Sequence, residues 1–368
     1  MGIKKLAELI KEAAPEAVRR VPLQEYRGRI IALDTSIFIY QFRAKMPAIV
    51  NSYGEDISYL QGLFYRTAHL LENGIKPVYV FEGHPPNLKQ PLLARRAAAT
   101  GNERRSAGAE FESSQKQDCE TLLSHLGVPC VKALGEAEAT CAALVACGKV
   151  WGTATEDMDA LPFGSTRLIR HLKADKNCEV EEYDLPCILE KLKLTHEQFV
   201  DLCILLGCDY CEKIWGLGPK KALKLLQKHR SIEQILQNID LKHPPSKTWP
   251  FQESRELFLQ PQVADTSQIL LEWAEPNEEQ LVQFLSHRKH MKEDRVRKRL
   301  RKLHVAQSNE ENPESQQEVP KKKRQKRMLD FFPVKKSAGR MKASKPRESN
   351  KKPKMPEITV KSSGARVP

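Results

Sequence analysis

Three short apolar runs along the chain each end in a carboxylate. Arg29-Ile-Ile-Ala-Leu-Asp34, Pro77-Val-Tyr-Val-Phe-Glu82 and the run from Val150 to Asp157 all have this form. Each is too short for an ordinary helix and reads as a buried strand. Between them the apolar spacing is helical, most clearly from Tyr59 to Glu72, with Asn73-Gly74 as the stop. Ala139 to Cys147 reads as another helix, stopped by Gly148, with Gly135-Glu136-Ala137-Glu138 at its start. Strands alternating with helices predict an α/β fold with a mostly parallel central sheet flanked by helices. Such sheets bind ligands beyond the carboxyl ends of their strands, where these acids gather.

After Glu82 come His84-Pro85-Pro86-Asn87-Leu88-Lys89 and a short basic helix, Leu92 to Ala99, carrying Arg95 and Arg96. Thr100-Gly101-Asn102 breaks it, and Glu103 to Gln117 reads as a polar, mobile segment. Further on, Thr195 to Leu206 has an amphipathic helical pattern and leads into Gly207-Cys208-Asp209-Tyr210. Ile214-Trp215-Gly216-Leu217-Gly218-Pro219-Lys220-Lys221-Ala222 then opens a second helix. Glycines followed by proline at a helix start expose backbone N–H groups to a phosphate. Residues 195–235 therefore read as a helix–turn–helix that grips a duplex backbone, although a tight structural turn shares the composition.

Charge sharpens this division. The formal net charge is +13, of which Val305 to Pro368 contributes +10 and Arg288 to His304 contributes +7. The preceding 287 residues are thus slightly acidic, at −4. An acidic body with a strongly basic rear end suits a polyanion partner. From about Gln307 the chain is rich in Glu, Ser, Asn, Pro and Lys, and residues 304–368 read as a disordered basic tail. Within the tail, Lys321 to Arg327 is a basic run of nuclear-import type, which predicts the nucleus as the location. Met328, Phe331 and Phe332 set apolar anchors in a polar segment, the pattern of a docking peptide. Nine scattered cysteines form no framework, and Cys208-x-x-Cys211 has no second pair at zinc spacing. No secretory segment, membrane span or complete myristoylation signal is legible, Leu6 standing where Ser or Thr would be needed. A reduced, intracellular monomer with no membrane partner is expected.

The acidic groups carry the chemistry. Glu136 and Glu138 at a helix start, with Asp157 and Asp159 after a strand, crowd four carboxylates at one rim. Such groups repel unless a cation joins them, and hard oxygen donors select Mg²⁺ or Mn²⁺. A solvated acidic loop would look the same for one D-x-D pair, but Asp34 and Glu82 end two further strands beside it. Arg95 and Arg96 nearby suit a phosphodiester, since cations neutralise phosphate while a metal activates water.

Together these residues resemble the flap endonucleases of the structure-specific 5′-nuclease superfamily. The match runs from Met1-Gly2-Ile3 to about Leu303 and includes the blocks around Asp34, Glu136-Ala-Glu138, Asp157-Met-Asp159, Gly207-Cys-Asp209-Tyr-Cys and Glu275-Pro-Asn-Glu-Glu279. The resemblance implies a nuclease cleaving 5′-flap DNA, with 5′–3′ exonuclease activity, in replication and repair. It implies an N-terminal nuclease part (1–98), a helical arch (84–118), an internal nuclease part (119–303) and the tail. Asp34, Glu82, Glu136 and Glu138 would hold one Mg²⁺, and Asp157, Asp159 and Asp209 a second. Lys89 and Arg96 match the cations that contact the scissile phosphate. Tyr40, Arg66, Glu136, Gly207 and Asp209 match DNA-contacting positions, as do Gly216, Gly218 and Lys220 in the duplex-gripping turn, which in the family also holds K⁺. Residues 325–332 resemble the family's sliding-clamp (PCNA) box, through Gln325, Met328, Phe331 and Phe332. Three features depart from the family: Glu82 replaces an Asp, the arch between Glu82 and Cys119 is short, and so is the loop after Tyr40, where Lys45 stands roughly for an Arg. A misplaced Glu82 carboxylate would leave a weakened protein that binds flap DNA and the clamp without efficient cutting.

Overall fold

The computed structural model describes residues 2–36, 49–99, 107–172, 179–238 and 248–311, with positions 39 and 245 between them. Tyr40, Lys45 and the residues of the clamp box lie outside this set. A seven-stranded sheet forms the centre, built from β1 (Val18–Pro22), β2 (Ile30–Asp34), β3 (Lys76–Phe81), β4 (Cys130–Lys132), β5 (Gly152–Ala154), β6 (Arg167–Arg170) and β7 (Glu179–Asp184). Its order is β1-β7-β6-β5-β2-β3-β4. The five strands from β6 to β4 are parallel, and β7 pairs antiparallel with both β6 and β1. From β2 the chain passes first to β3 on one side and later to β5 on the other, which creates a topological switch point at the carboxyl end of β2.

Alternation along the strands sorts the core. Ile31, Leu33, Tyr79 and Phe81 point to one face, where α2 (Ser58–Glu72), α4 (Ala107–His125), α11 (Glu278–Val282) and α12 (Glu293–Glu311) pack. Ala32, Val78 and Val80 point to the other, beneath α5 (Ala137–Ala146). A third apolar cluster joins α1 (Leu6–Ala13), α6 (Leu185–Leu192), α7 (His196–Leu206), α8 (Pro219–His229), α9 (Ile232–Asn238) and α10 (Phe251–Leu259). Central strands buried on both faces are why β2 and β3 read as unbroken apolar runs.

The structure corrects three boundaries. The basic helix α3 begins at Gln90, directly after a 3₁₀ turn over Asn87–Lys89. Glu103 to Gln117 does not stay irregular throughout, because α4 starts at Ala107 and runs unbroken to His125. Buried Gln115, Cys119, Leu122 and Leu123 anchor its second half, so tertiary packing extends the helix into the polar stretch. The tail begins later than residue 304, since α12 continues to Glu311, with Val296, Leu300 and Leu303 fastening it against the core. The expected amphipathic helix α7 is buried at every residue from Phe199 to Leu206. Buried Asp201 within it is answered by Arg255 of α10, at 2.7 Å, which also pairs with Glu233 of α9. Among the described residues no helix is long and apolar enough to cross a membrane.

Candidate metal centre

Parallel pairing of β2, β3 and β5 delivers their carboxyl ends to one rim. Asp34, the last residue of β2, is 1% exposed. One of its oxygens accepts the Ser36 N–H at 3.0 Å and the other the Thr155 hydroxyl at 3.3 Å. Glu82 follows the last residue of β3, and its carboxylate accepts the Ala137 N–H at 3.3 Å. That donor is the first amide of α5, so Glu82 sits at the positive end of a helix. Glu136 is the N-cap residue of the same helix and Glu138 lies in its first turn, both buried. One oxygen from each of Glu82, Glu136 and Glu138 lies within 4.8 Å of the others. The longer side chain of Glu82 therefore does not remove its carboxylate from the cluster.

The second group of acids is held by the amino terminus. Asp157 accepts the Asp159 N–H at 3.2 Å, and its own N–H donates to Thr155 Oγ1 at 3.2 Å. Asp159 accepts the Ile3 N–H at 3.2 Å. A Cβ on Gly2, which has φ +71°, would stand 1.7 Å from Asp157 Oδ1. Only glycine fits there, so Gly2 is part of the site. On sequence grounds it counted only as part of an incomplete acylation signal and a matched first tripeptide. No local pattern says that residue 2 meets residue 157.

Two cations enter the cluster. Lys89 Nζ bonds Glu136 and lies 3.7 Å from Asp209 and 3.9 Å from Glu82. Arg96 pairs with Asp209 at 2.9 Å. Asp209 is brought there by Gly207, whose φ of +90° turns the chain out of α7, and whose Cβ would press within 2.9 Å of Lys213 N. The Cys208 N–H to Cys211 carbonyl bond, 3.0 Å, closes that turn.

Burial and mutual repulsion leave their mark on the acids. Burial, with the charges of Asp34 and Glu136, pushes Glu82 up to about 8. Burial first, then Asp34 and Glu82, holds Glu138 well above the carboxylate range; burial and Asp157 do the same for Asp159. Burial would lower the Lys89 ammonium, yet Glu136, Glu82 and Glu138 together raise it. Glu136 Oε1 is buried with no hydrogen-bond partner among the described residues. Oxygen donors this crowded, with one lone pair unanswered, suit a hard divalent cation.

The remaining predicted residues lie elsewhere. Arg66 is buried on α2, at 6% exposure; burial pushes the Tyr79 phenol up to about 12, and the Arg66 charge only partly offsets this. Gly216 (φ +76°) and Gly218, the N-cap of α8, are exposed, and Lys220 in the first turn of α8 pairs with Glu12.

Two family models match: the XPG N-terminal domain over residues 1–103 and the XPG I-region over residues 127–209. Flap endonuclease 1 of Bos taurus is 46% identical over 328 residues, covering 82% of this chain and 86% of that protein. The chain belongs to the flap endonuclease family. Its architecture is similar to the solved catalytic core of Rad2 in complex with DNA substrate (TM-score 0.68, 26% identity, 82% of this chain and 99% of that one). It is likewise similar to the flap endonuclease-1 from Methanococcus jannaschii (TM-score 0.66, 27% identity, 80% and 97%). In this chain, acidic side chains gather beyond the carboxyl ends of β2, β3 and β5.

Proposed function

We propose that this flap endonuclease cleaves branched DNA near the junction of a 5′ single-stranded flap and duplex, and also removes nucleotides 5′ to 3′. The observation that carries the reading is the convergence of Glu82, Glu136 and Glu138, within 4.8 Å, beside Lys89 at the sheet's switch point. Asp34, Glu82, Glu136 and Glu138 would hold one Mg²⁺, and Asp157, Asp159 and Asp209 a second, with Mn²⁺ an acceptable substitute. When bound, the metal supplies a deprotonated water and stabilises the charge that builds on the phosphate. The chain's own residues do the rest. Lys89 and Arg96, now paired with Glu136 and Asp209, exchange those carboxylates for the scissile phosphate oxygens and neutralise their charge. Asp34, fixed by Ser36 and Thr155, and Asp157, fixed by Asp159 and Thr155, keep the donor set in one geometry. Gly216, Gly218 and Lys220 grip the duplex backbone, with a K⁺ ion in the turn, while Tyr40 stacks on a base beside the cleaved bond and Arg66, Gly207 and Asp209 complete the DNA contacts. The protein acts as a monomer in the nucleus and docks on the PCNA clamp through Gln325, Met328, Phe331 and Phe332.

The test is direct: a 5′-labelled flap duplex is incubated with the full chain, with and without Mg²⁺, and products are sized. Mg²⁺-dependent incision near the junction is expected. Tight flap binding with no product in Mg²⁺ or Mn²⁺ overturns the reading in favour of a non-cutting binder.

A further inference from the structure

The turn between α7 and α8 carries a tryptophan in an unusual position. Ile214 and Leu217 are buried, 2% and 7% exposed, and pin the turn to the α7–α8 core. Trp215 between them is 69% exposed. Each of the other three tryptophans is at least half-buried and engaged: Trp249 and Trp273 donate to the Glu212 and Pro77 carbonyls, and Trp151 stacks edge-on against Tyr26. Trp215 instead lies under the Lys213 ammonium, 4.5 Å from the ring centroid. That cation covers one face of the indole, and the side chain remains largely open to solvent.

The surroundings identify what the face meets. From Lys213 to Arg230 the chain has six Lys or Arg residues and no Asp or Glu. Lys213, Lys220, Lys221 and Lys224 are all exposed around the same turn, beside exposed Gly216 and Gly218. Lys220 pairs with Glu12, and exposed Glu212 adjoins Lys213, but the turn itself presents an apolar ring among lysines. Such a surface suits a ligand with anionic edges and apolar faces between them. Duplex nucleic acid is such a ligand: phosphates flank deoxyribose rings along each strand.

We infer that Trp215 packs its exposed face against the deoxyribose rings of the bound duplex, while Lys213 meets the adjoining phosphate. This rests on the duplex-gripping role proposed for the turn. It adds a sequence-independent, salt-insensitive contribution to a surface otherwise made of phosphate contacts. In this way the turn can hold the duplex at salt concentrations that screen its lysines.

The test uses the full-length protein and a fluorescent 5′-flap duplex in Ca²⁺ buffer, with anisotropy read across a series of KCl concentrations. Trp215→Ala should weaken binding about tenfold at every salt concentration, the size of loss seen for an interfacial aromatic anchor. The slope of log Kd against log salt should stay at the wild-type value, because no phosphate contact is removed. Trp215→Phe, which keeps a ring, should recover most of the loss. Both variants should melt at the wild-type temperature, since the side chain contributes little to the core. Wild-type affinity for Trp215→Ala overturns the inference. So does a slope shallower by about one, which assigns the effect to phosphate contact. A Phe variant no better than Ala overturns ring packing as the cause. Failure of the wild-type protein itself to bind the flap duplex would instead defeat the proposed function.

Discussion

Glu82 shows how one methylene is absorbed. By length alone, the Glu82 side chain should displace its carboxylate from the position an Asp would hold. The fold gives that carboxylate a seat on the first amide of α5, still within reach of Glu136 and Glu138. The consequence is electrostatic: with its value pushed up to about 8 by burial, Asp34 and Glu136, Glu82 is largely protonated at neutral pH when no metal is present. An acid whose folded value lies above its unfolded one, near 4.5, stabilises the fold below pH 4.5, and this contribution is lost as pH rises through 8. Metal-free protein should therefore lose melting temperature between about pH 5 and pH 9, and Mg²⁺ should restore more of it at pH 9 than at pH 6. Differential scanning fluorimetry with and without Mg²⁺ reads this, and Glu82→Gln should flatten the metal-free slope. A metal-free melting temperature that climbs steadily to pH 9 in the wild type would refute the assignment. Gly2 offers a second test at this scale. Gly2→Ala puts a methyl 1.7 Å from Asp157 Oδ1 and strains a φ of +71°. Single-turnover cleavage should fall at least about 100-fold, as for a displaced site carboxylate, with flap binding much less affected. Cleavage within a few-fold of wild type would show that the amino terminus is not part of the site.

At the scale of elements, legibility followed burial on two faces. β2, β3 and β5 could be read because central parallel strands are apolar throughout and each ends in an acid. β1, β6 and β7 could not. Glu179 to Asp184 is four acids broken only by Val180 and Tyr183, and buries the adjacent Glu181 and Glu182, which are satisfied by Lys11, Arg19 and Tyr26. Such partners are 156 or more residues away, so no window of sequence reveals them. The polar start of α4 misled for the converse reason: its anchors lie later in the helix. The Asp201–Arg255–Glu233 triad was equally hidden, and it fastens α7, α9 and α10 together. Burial lifts Asp201 while Arg255 opposes the shift. Arg255→Ala leaves buried Asp201 without its cation and with the Ile232 N–H as its remaining donor, and should destabilise the protein by on the order of 3 kcal/mol in urea unfolding. A change under about 0.5 kcal/mol would mean that water replaces the guanidinium.

For the whole molecule, the division of charge remains its clearest feature in sequence: acids gathered at the switch point, and bases on the turn, on α12 and beyond residue 311. Six of the seven predicted carboxylates were legible as strand-end or helix-start acids and Asp209 only by resemblance, and the structure brings Glu82, Glu136 and Glu138 together within ligand distance. Lys89 lying among them was legible only by resemblance, because its position depends on the 3₁₀ turn after β3. The clamp box proposed for residues 325–332 belongs to this scale as well. Aromatic anchors carry most of the affinity of such peptides, so Phe331→Ala with Phe332→Ala should weaken PCNA binding by at least about 30-fold in calorimetry. Equal affinity would remove residues 325–332 from the clamp contact.

The central claim is that the acids at the carboxyl ends of β2, β3 and β5 hold metal for phosphodiester hydrolysis. Asp157 tests it best, because its side chain faces Gly2 and Asp159 rather than the apolar core. Single-turnover cleavage of a 5′-flap duplex should be measured for the wild type and Asp157→Ala in Mg²⁺, with flap binding measured alongside. The account predicts Mg²⁺-dependent incision at the junction by the wild type, a loss of at least about 1,000-fold in the variant, and flap affinity within a few-fold of wild type. A variant that cuts at near the wild-type rate would contradict it.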